Sequence, residues 1–203
     1  MPKPSRNSWK REVVTFFDRL APEWDARMVA DEAKINLILD MAGVSTDAVV
    51  LDVACGTGVL FPYYLRRKVA RVIGVDISPA MARLAATKSS DPRIEVICGD
   101  VEMIPVHQLC DCGVIYNAFP HFEDPPRLIA VLARWLKPDG RLTIAHGMSL
   151  TALRRHHARC EHVSREMLAA NEMAEVLAPW FEVDTKISDG EKYIVSGKRN
   201  KAP

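Results

Sequence analysis

The sequence predicts an α/β fold in which a seven-stranded, mostly parallel sheet lies between two layers of helices and ends in an antiparallel hairpin strand. Three observations favour this fold class. Short apolar runs alternate with segments of helical spacing, as they do in chains of βα units. A glycine turn, Gly56-Thr57-Gly58, joins the first of these runs to a helical pattern. Near the end, Asp189-Gly190 separates two alternating runs, which is a strong hairpin signal.

Composition and charge narrow the class of protein. Of the 203 residues, 48% are hydrophobic and 26% charged, and we expect a single domain over residues 1–203 with a substantial core. A net charge of +1 does not favour nucleic acid or a membrane surface as a partner. No apolar run approaches the roughly 20 residues that span a bilayer. Five cysteines without an evident disulfide framework, and no apolar leader, indicate a cytoplasmic protein.

Two helices are expected before the first strand. The first starts near Ser8 and is interrupted by Pro22. The second is predicted over about residues 26–41, and Gly43 is its stop signal. The apolar face of the first helix consists of Trp9, Val13, Phe16, Phe17 and Leu20.

The first predicted strand, Val49–Val53, is apolar except for Asp52. It runs into the glycine turn and then a helix, so a ligand is expected outside its carboxyl end. The dinucleotide-binding pattern needs a third glycine at the position where this chain has Phe61. The sequence therefore does not match that pattern. An acid inside the strand points instead to a ligand with positive charge. S-adenosylmethionine fits, because it carries adenosine, an ammonium and a sulfonium but no phosphate.

The second predicted strand, residues 71–75, also ends in an acid. Asp76 follows the first acid by 24 positions and suits a ribose diol, because one carboxylate can accept two hydroxyl hydrogen bonds. In the other interpretation, Asp76 or Ser78 only caps the helix that begins at Pro79. The two roles are compatible, with Ser78 as the cap and Asp76 as the ligand.

The later elements follow from the same patterns. Asp100 comes after the third strand, and Asn117, which offers both a donor and an acceptor, comes after the fourth. Phe119 and Phe122 can shield a site from water. The predicted elements are strands over 94–98, 112–116 and 142–146, a helix over 125–136, a turn over 137–141, a helix near 164–177, and hairpin runs over 181–187 and 192–196.

The strand-end motifs resemble those of class I S-adenosylmethionine-dependent methyltransferases. Residues 49–58 are similar to that family's first motif, a hydrophobic strand followed by D-x-G/A-C-G-x-G, and residues 117–122, N-A-F-P-H-F, are similar to its fourth. The turn at 137–141 departs from the family's L-K-P-G-G only at Asp139. Residues 17–25 resemble the N-terminal stretch of the ubiquinone and menaquinone methyltransferases, with Trp24 where tyrosine is usual. The resemblance covers about residues 12–198 and implies a Rossmann-like three-layer αβα sandwich.

The resemblance also implies a cofactor and the residues that hold it. The cofactor is S-adenosyl-L-methionine, with S-adenosyl-L-homocysteine as product, and Asp100 accepts a hydrogen bond from the adenine amine. Residues 1–42 form a helical lid, although Trp24 could simply pack against the next helix. The expected cofactor-binding residues are Asp52, Ala54, Cys55, Gly56, Gly58, Asp76, Ile77, Asp100, Val101, Asn117 and Ala118.

A basic, histidine-rich segment lies at residues 147–163, longer than the usual connection of about 2–6 residues. We interpret it as a substrate cap whose arginines attract an anionic or aromatic small molecule. His121, His146 and His157 are the candidate catalytic bases. A solvated basic helix is the plain alternative. A metal site is a third, but the histidine spacings match no standard zinc pattern, so no metal is expected.

The predicted activity is transfer of a methyl group from S-adenosylmethionine to a small-molecule acceptor (EC 2.1.1.-), with a homodimer possible. One alternative is a non-catalytic cofactor-binding sensor or subunit. Another is a nucleotide-dependent oxidoreductase, which Phe61 and the terminal hairpin oppose. Metalloid chemistry at the cysteines is conceivable, but their placement does not favour it. The acceptor, and whether carbon, nitrogen, oxygen or sulfur is methylated, stay open.

Overall fold

A computed structural model describes residues 6–27, 30–158 and 162–200. Its centre is a seven-stranded sheet in the order β3-β2-β1-β4-β5-β7-β6. The first five strands are parallel, and β7 lies antiparallel between β5 and β6. This arrangement confirms the predicted fold class. The strands are β1 (Val49–Val53), β2 (Arg71–Asp76), β3 (Ile94–Cys98), β4 (Cys110–Tyr116), β5 (Leu136–His146), β6 (Phe181–Ser188) and β7 (Tyr193–Arg199).

Helices cover both faces of the sheet. Successive residues of β1 point to opposite faces, as the pleat requires. Leu51 and Val53 belong to a core cluster with residues of α6, α7 and α8, whereas Val50 packs with residues of α3, α4 and α5. The helices are α1 (Arg6–Leu20), α2 (Trp24–Arg27), α3 (Glu32–Met41), α4 (Phe61–Arg66), α5 (Pro79–Lys88), α6 (Pro125–Trp135), α7 (Leu150–His157) and α8 (Ala170–Leu177). None of these described helices is long and apolar enough to cross a bilayer.

The prediction of one helix over residues 26–41 is wrong. α2 ends at Arg27, residues 28–29 lie outside the described part of the chain, and α3 begins only at Glu32. α3 begins at Glu32 because the Asp31 carboxylate accepts a hydrogen bond from the Lys34 amide at 3.0 Å and caps the helix.

Two other elements begin at residues different from those predicted. The helix predicted near 164–177 begins only at Ala170, after a stretch without helical structure. β5 begins at Leu136 instead of Leu142, so the predicted turn at 137–141 lies within the span of β5. Asp139 has a φ of 62° there, the left-handed conformation that a glycine adopts without strain.

The topology fixes where a ligand can bind. β1 pairs with β2 on one side and with β4 on the other, so the strand order reverses direction at the carboxyl ends of β1 and β4. Such a switch point leaves a crevice at that edge of the sheet.

Candidate active site

A cavity opens at this edge of the sheet, between the strand ends and helix α1. Its volume is about 1110 Å³, which includes the open mouth. Ten of the eleven residues predicted to bind the cofactor line it; Gly58 does not. These ten are Asp52, Ala54, Cys55, Gly56, Asp76, Ile77, Asp100, Val101, Asn117 and Ala118.

The two glycines of the turn have different physical roles. Both adopt left-handed conformations, with φ of +56° at Gly56 and +79° at Gly58. A Cβ on Gly56 would meet nothing closer than Trp24 Nε1 at 4.0 Å, so this position leaves room for a ligand. A Cβ on Gly58 would lie 2.6 Å from the ring of Phe61. Gly58 is therefore needed to admit Phe61, whose buried ring lies where a dinucleotide fold has glycine.

Asp52 is a buried carboxylate without a full set of partners. It is 2% exposed and its Oδ2 has no hydrogen-bond partner. Burial raises the pKa of Asp52 well above its usual value, and the nearby charge of Asp76 raises it further. A buried carboxyl group with an unpartnered oxygen on a cavity wall can stabilise a positively charged group.

Asp76 lies at the carboxyl end of β2, where backbone amides fix its carboxylate. Its two oxygens accept hydrogen bonds from the Gly56 amide at 2.8 Å and the Ser78 amide at 2.9 Å. Ser78 in turn caps α5 by accepting from the Met81 amide at 3.2 Å. Burial raises the pKa of Asp76, although these hydrogen bonds oppose the shift. The carboxylate is thus held rigidly beside the glycine turn while it lines the cavity.

Asp100 has a partner that sequence patterns did not reveal. One oxygen accepts from the Glu102 amide at 3.0 Å, and the other pairs with the ammonium of Lys10. Lys10 also contacts the Glu102 carboxylate at 2.5 Å. These ion pairs tie α1 to the segment after β3, across 90 positions of sequence.

Helix α1 and the segment after it cover one side of the cavity and are attached at three further points. The Asp18 carboxylate accepts from Ser78 Oγ at 2.5 Å and from the Ala80 amide at 3.0 Å, which adds a second cap to α5. Thr57 of the glycine turn donates to Asp25 at 2.5 Å. Trp9 Nε1 donates to the His121 carbonyl at 3.0 Å. The lining side chains from this part of the chain are Trp9, Lys10, Val13, Phe17 and Trp24.

His121 lines the cavity at the end of the fourth-strand motif. Its Nδ1 lies 2.8 Å from the Val163 carbonyl, which can only accept, so Nδ1 carries the proton and Nε2 is left with the free lone pair. Ser164 Oγ is 3.2 Å from the same nitrogen. Burial lowers the pKa of His121 to about 4, so the ring is neutral near pH 7.

The other two candidate bases lie outside the cavity lining. His157 packs edge-on against His121 with ring centroids 5.3 Å apart, and His146 stands against Tyr193 at 6.3 Å. His146 Nε2 and His157 Nδ1 have no hydrogen-bond partner. Burial lowers the pKa of His146 to about 3 and that of His157 to about 4. Neither ring lines the cavity, and their catalytic roles stay predictions.

The basic segment 147–163 does not contribute to the lining of the cavity in its described residues. Arg154 donates to the Met167 carbonyl at 3.2 Å and pairs with Glu166, and Arg155 is exposed. Residues 159–161 of this segment lie outside the described part of the chain. Among the described residues, no group of three His, Cys, Asp or Glu side chains could hold a metal ion.

Asn117 and Tyr116 complete the wall after β4. Asn117 has a φ of 55°, and its side-chain oxygen accepts from the Gly147 amide at 3.0 Å, which ties the end of β4 to the end of β5. Sequence reasoning missed Tyr116, Glu102 and Glu123 as lining residues. The only available signal was position: Tyr116 directly precedes the fourth motif, and Glu102 and Glu123 come one or two residues after a strand-end motif.

Comparison with known proteins agrees with this site. Residues 51–144 match a family described as "Methyltransferase domain". A malonyl-[acyl-carrier protein] O-methyltransferase of Acetivibrio thermocellus is 30% identical over 139 residues, 67% of this chain and 49% of that protein. A demethylmenaquinone methyltransferase of Renibacterium salmoninarum is 28% identical over 71% of this chain and 62% of its own length. The chain thus spans about half to three fifths of these curated relatives.

Solved structures share the whole fold. The N-methyltransferase NodS of Bradyrhizobium japonicum WM9, in complex with S-adenosyl-L-homocysteine, aligns with a TM-score of 0.75 and 14% identity over 93% of this chain and 99% of NodS. The [4+2]-cyclase SpnF aligns with a TM-score of 0.77 and 16% identity over 100% of this chain and 99% of SpnF. At these identities the likeness shows the fold alone, and a fold does not determine a reaction.

The motifs, the matched methyltransferase domain and these relatives confirm the predicted resemblance to class I S-adenosylmethionine-dependent methyltransferases of the quinone-methyltransferase kind. The cofactor of this family, S-adenosylmethionine, fits the cavity by two observations. Asp52 offers an unpartnered carboxylate oxygen for a cationic molecule, and Gly56 leaves open space beside the turn.

Proposed function

We propose that this chain binds S-adenosylmethionine in the cavity and transfers its methyl group to a small-molecule acceptor. The observation that carries the proposal is Asp52, a buried carboxylate with an unpartnered oxygen on a cavity wall at the family's first motif. When bound, the cofactor supplies a methyl group on an electrophilic sulfonium. The protein then has to align the acceptor and exclude water.

Each strand end has a proposed task in holding the cofactor. Asp76 accepts hydrogen bonds from the ribose hydroxyls, since each of its oxygens has a lone pair beyond the one used by an amide. Asp100 and the backbone of Val101 contact the adenine. Asn117 and Ala118 lie towards the methionyl part. Residues 1–42 act as the lid, because α1 already covers the cavity through Lys10 and Asp18.

His121 is the proposed base. Its Nε2 lone pair is free because Nδ1 is held by Val163, and a ring with a pKa of about 4 is neutral at pH 7, so Nε2 carries no proton there. His157 packs behind His121 and His146 is buried in the same region, so we propose that both act through the position of the His121 ring.

The test is a turnover assay with methyl-labelled S-adenosylmethionine and pools of small metabolites. We expect transfer of label and release of S-adenosylhomocysteine. His121→Asn, which can keep a donor towards Val163 but lacks Nε2, should lose about 100-fold in turnover with cofactor affinity retained. His107→Asn is the matched control, because His107 is exposed and outside the cavity lining. Cofactor binding without turnover on any pool would favour the sensor or subunit alternative.

Two further features of the protein belong to this proposal. The described cysteines Cys55, Cys98, Cys110 and Cys112 are free thiols, which supports a reducing compartment such as the cytoplasm. A homodimer stays a prediction.

A further inference from the structure

The charges on the cavity wall are strongly one-sided. Among the described lining residues there are five carboxylates and a single ammonium, that of Lys10, which already pairs with two of the five. His121 is neutral near pH 7. A cavity lined by one sign of charge attracts ligands of the opposite sign and repels those of its own. The carboxylates are Asp52, Asp76, Asp100, Glu102 and Glu123.

The bound cofactor leaves this imbalance in place. S-adenosylmethionine contributes one net positive charge, because its ammonium and carboxylate cancel and the sulfonium remains. Even if the buried Asp52 and Asp76 both take up protons, the lining side chains and the cofactor together carry no net positive charge. Outside the lining, the guanidinium groups of Arg127 and Arg165 lie 3.9 Å from Glu102 and Glu123 and partly neutralise these two carboxylates. Two arginines of the basic segment, from which an anionic acceptor was expected, lie outside the lining: Arg154 binds Met167 and Glu166, and Arg155 is exposed. Arg159 lies outside the described residues.

Glu123 is used neither by the proposed cofactor contacts nor by the Lys10 ion pairs. It lies two residues after His121 on the same wall, and its Oε2 is buried without a hydrogen-bond partner. Its other oxygen is 3.9 Å from the guanidinium of Arg165, beyond hydrogen-bond distance. Arg165 is not part of the lining and packs over the ring of Trp9 at 5.0 Å. A buried acceptor on the wall of a cavity is suited to receive a donor from a ligand.

We propose that the methyl acceptor is an amine with an aromatic or apolar body, and that Glu123 recognises its N–H group. The body would pack on Trp9, Phe17 and Phe122. This inference rests on the proposed function of the cavity and narrows its substrate class.

The transfer step is balanced with these groups. An acceptor that enters as an ammonium first gives one proton to water. The lone pair of the neutral amine then forms the new C–N bond while the C–S bond breaks and its electron pair returns to sulfur. Nitrogen gains positive charge as this happens, and a carboxylate at hydrogen-bond distance stabilises that charge. The product ammonium then loses its proton to His121 Nε2 or to water.

The test is calorimetry with saturating S-adenosylhomocysteine and two probes of similar shape, benzylamine and benzoate. We expect wild type to bind benzylamine at least about tenfold more tightly than benzoate. Glu123→Gln should remove most of that preference, about a tenfold loss for benzylamine, with the affinity for S-adenosylhomocysteine unchanged. Glu191→Gln, an exposed acid in the terminal hairpin, should change nothing.

Several results would overturn the inference. A preference for benzoate, no measurable binding of benzylamine, or an unchanged preference in Glu123→Gln would each do so while the proposed function stands. If Glu123→Gln does not fold, Glu123→Asp replaces it, and the wild-type preference for the cationic probe must still weaken as salt is added. Failure of S-adenosylhomocysteine itself to bind would instead remove the proposed function.

Discussion

At the scale of single residues, the site is built from groups held in conformations or protonation states that cost free energy. Ala54 and Asn117, directly after β1 and β4, both have φ angles of 55° beside the cavity. Asp52 and two histidines are buried away from water. Such costs are stored where a ligand or a reaction uses them.

The Gly58 position gives a stability prediction. Gly58→Ala adds a Cβ that would lie 2.6 Å from Phe61, on a backbone with φ of +79°. We expect a loss of about 2–4 kcal/mol in the free energy of unfolding, from overpacking and left-handed strain together. Gly190→Ala is the control, because a Cβ there meets nothing within 4 Å. Equal urea midpoints for the two variants would refute this account of the turn.

The buried histidines give a pH prediction. The pKa of His146 is lowered to about 3 in the folded protein, against about 6.5 in an unfolded chain, so the unfolded chain binds more protons between these values. Stability is therefore fully present above pH 6.5 and is lost as the pH falls. The raised pKa of Asp52 acts in the opposite direction.

Comparing a variant with wild type isolates the histidine contribution. Between pH 6.5 and 5, proton uptake by His146 in the unfolded chain should lower the free energy of unfolding by about 2 kcal/mol. The His146→Gln variant lacks this contribution, so its free energy of unfolding should depend less steeply on pH. Urea titrations at several pH values measure it. His107→Gln, at an exposed position, should keep the wild-type slope, and a His146→Gln slope equal to wild type would exclude the buried neutral ring.

At the scale of elements, α1 is the part that sequence patterns describe least well. Its apolar face predicts a buried helix, and Trp9 and Val13 are indeed buried. Its polar side chains determine where it docks, however. Asp18 caps α5 and Lys10 reaches Asp100. Those partners lie 62 and 90 positions away, beyond the reach of any local pattern.

The Asp18 cap gives a prediction about this docking. Asp18→Ala removes acceptors for Ser78 Oγ and the Ala80 amide, and should cost about 1–2 kcal/mol of stability. If α1 is a lid, the same change should speed amide exchange in α1 and weaken S-adenosylhomocysteine binding several-fold. Glu12→Ala, at an exposed position of the same helix, is the control. Unchanged exchange and affinity in Asp18→Ala would argue against α1 as a lid.

At the scale of the whole molecule, the sheet and the position of the site were predictable because both depend on short contiguous patterns. The runs around Asp52, Asp76 and Asp100 gave the strands and the cavity edge, and ten of eleven expected residues line that cavity. The helix break before Glu32 was not predicted, because it depends on a single cap at Asp31. The direction in which the basic segment points its side chains was not predictable either, because the Arg154 side chain is held by Glu166 and Met167.

The central claim is that the cavity at the ends of β1 and β2 binds the cofactor of the methyltransferase family through its buried acids. Calorimetric titration with S-adenosylhomocysteine tests this most directly, with NAD as the competing nucleotide. We predict that wild type binds S-adenosylhomocysteine and not NAD. Asp76→Asn should weaken binding about tenfold to a hundredfold, whereas Asp47→Asn, at an exposed position with φ of 63°, should not. No binding by wild type, equal binding of NAD, or equal affinities for the two variants would contradict the account.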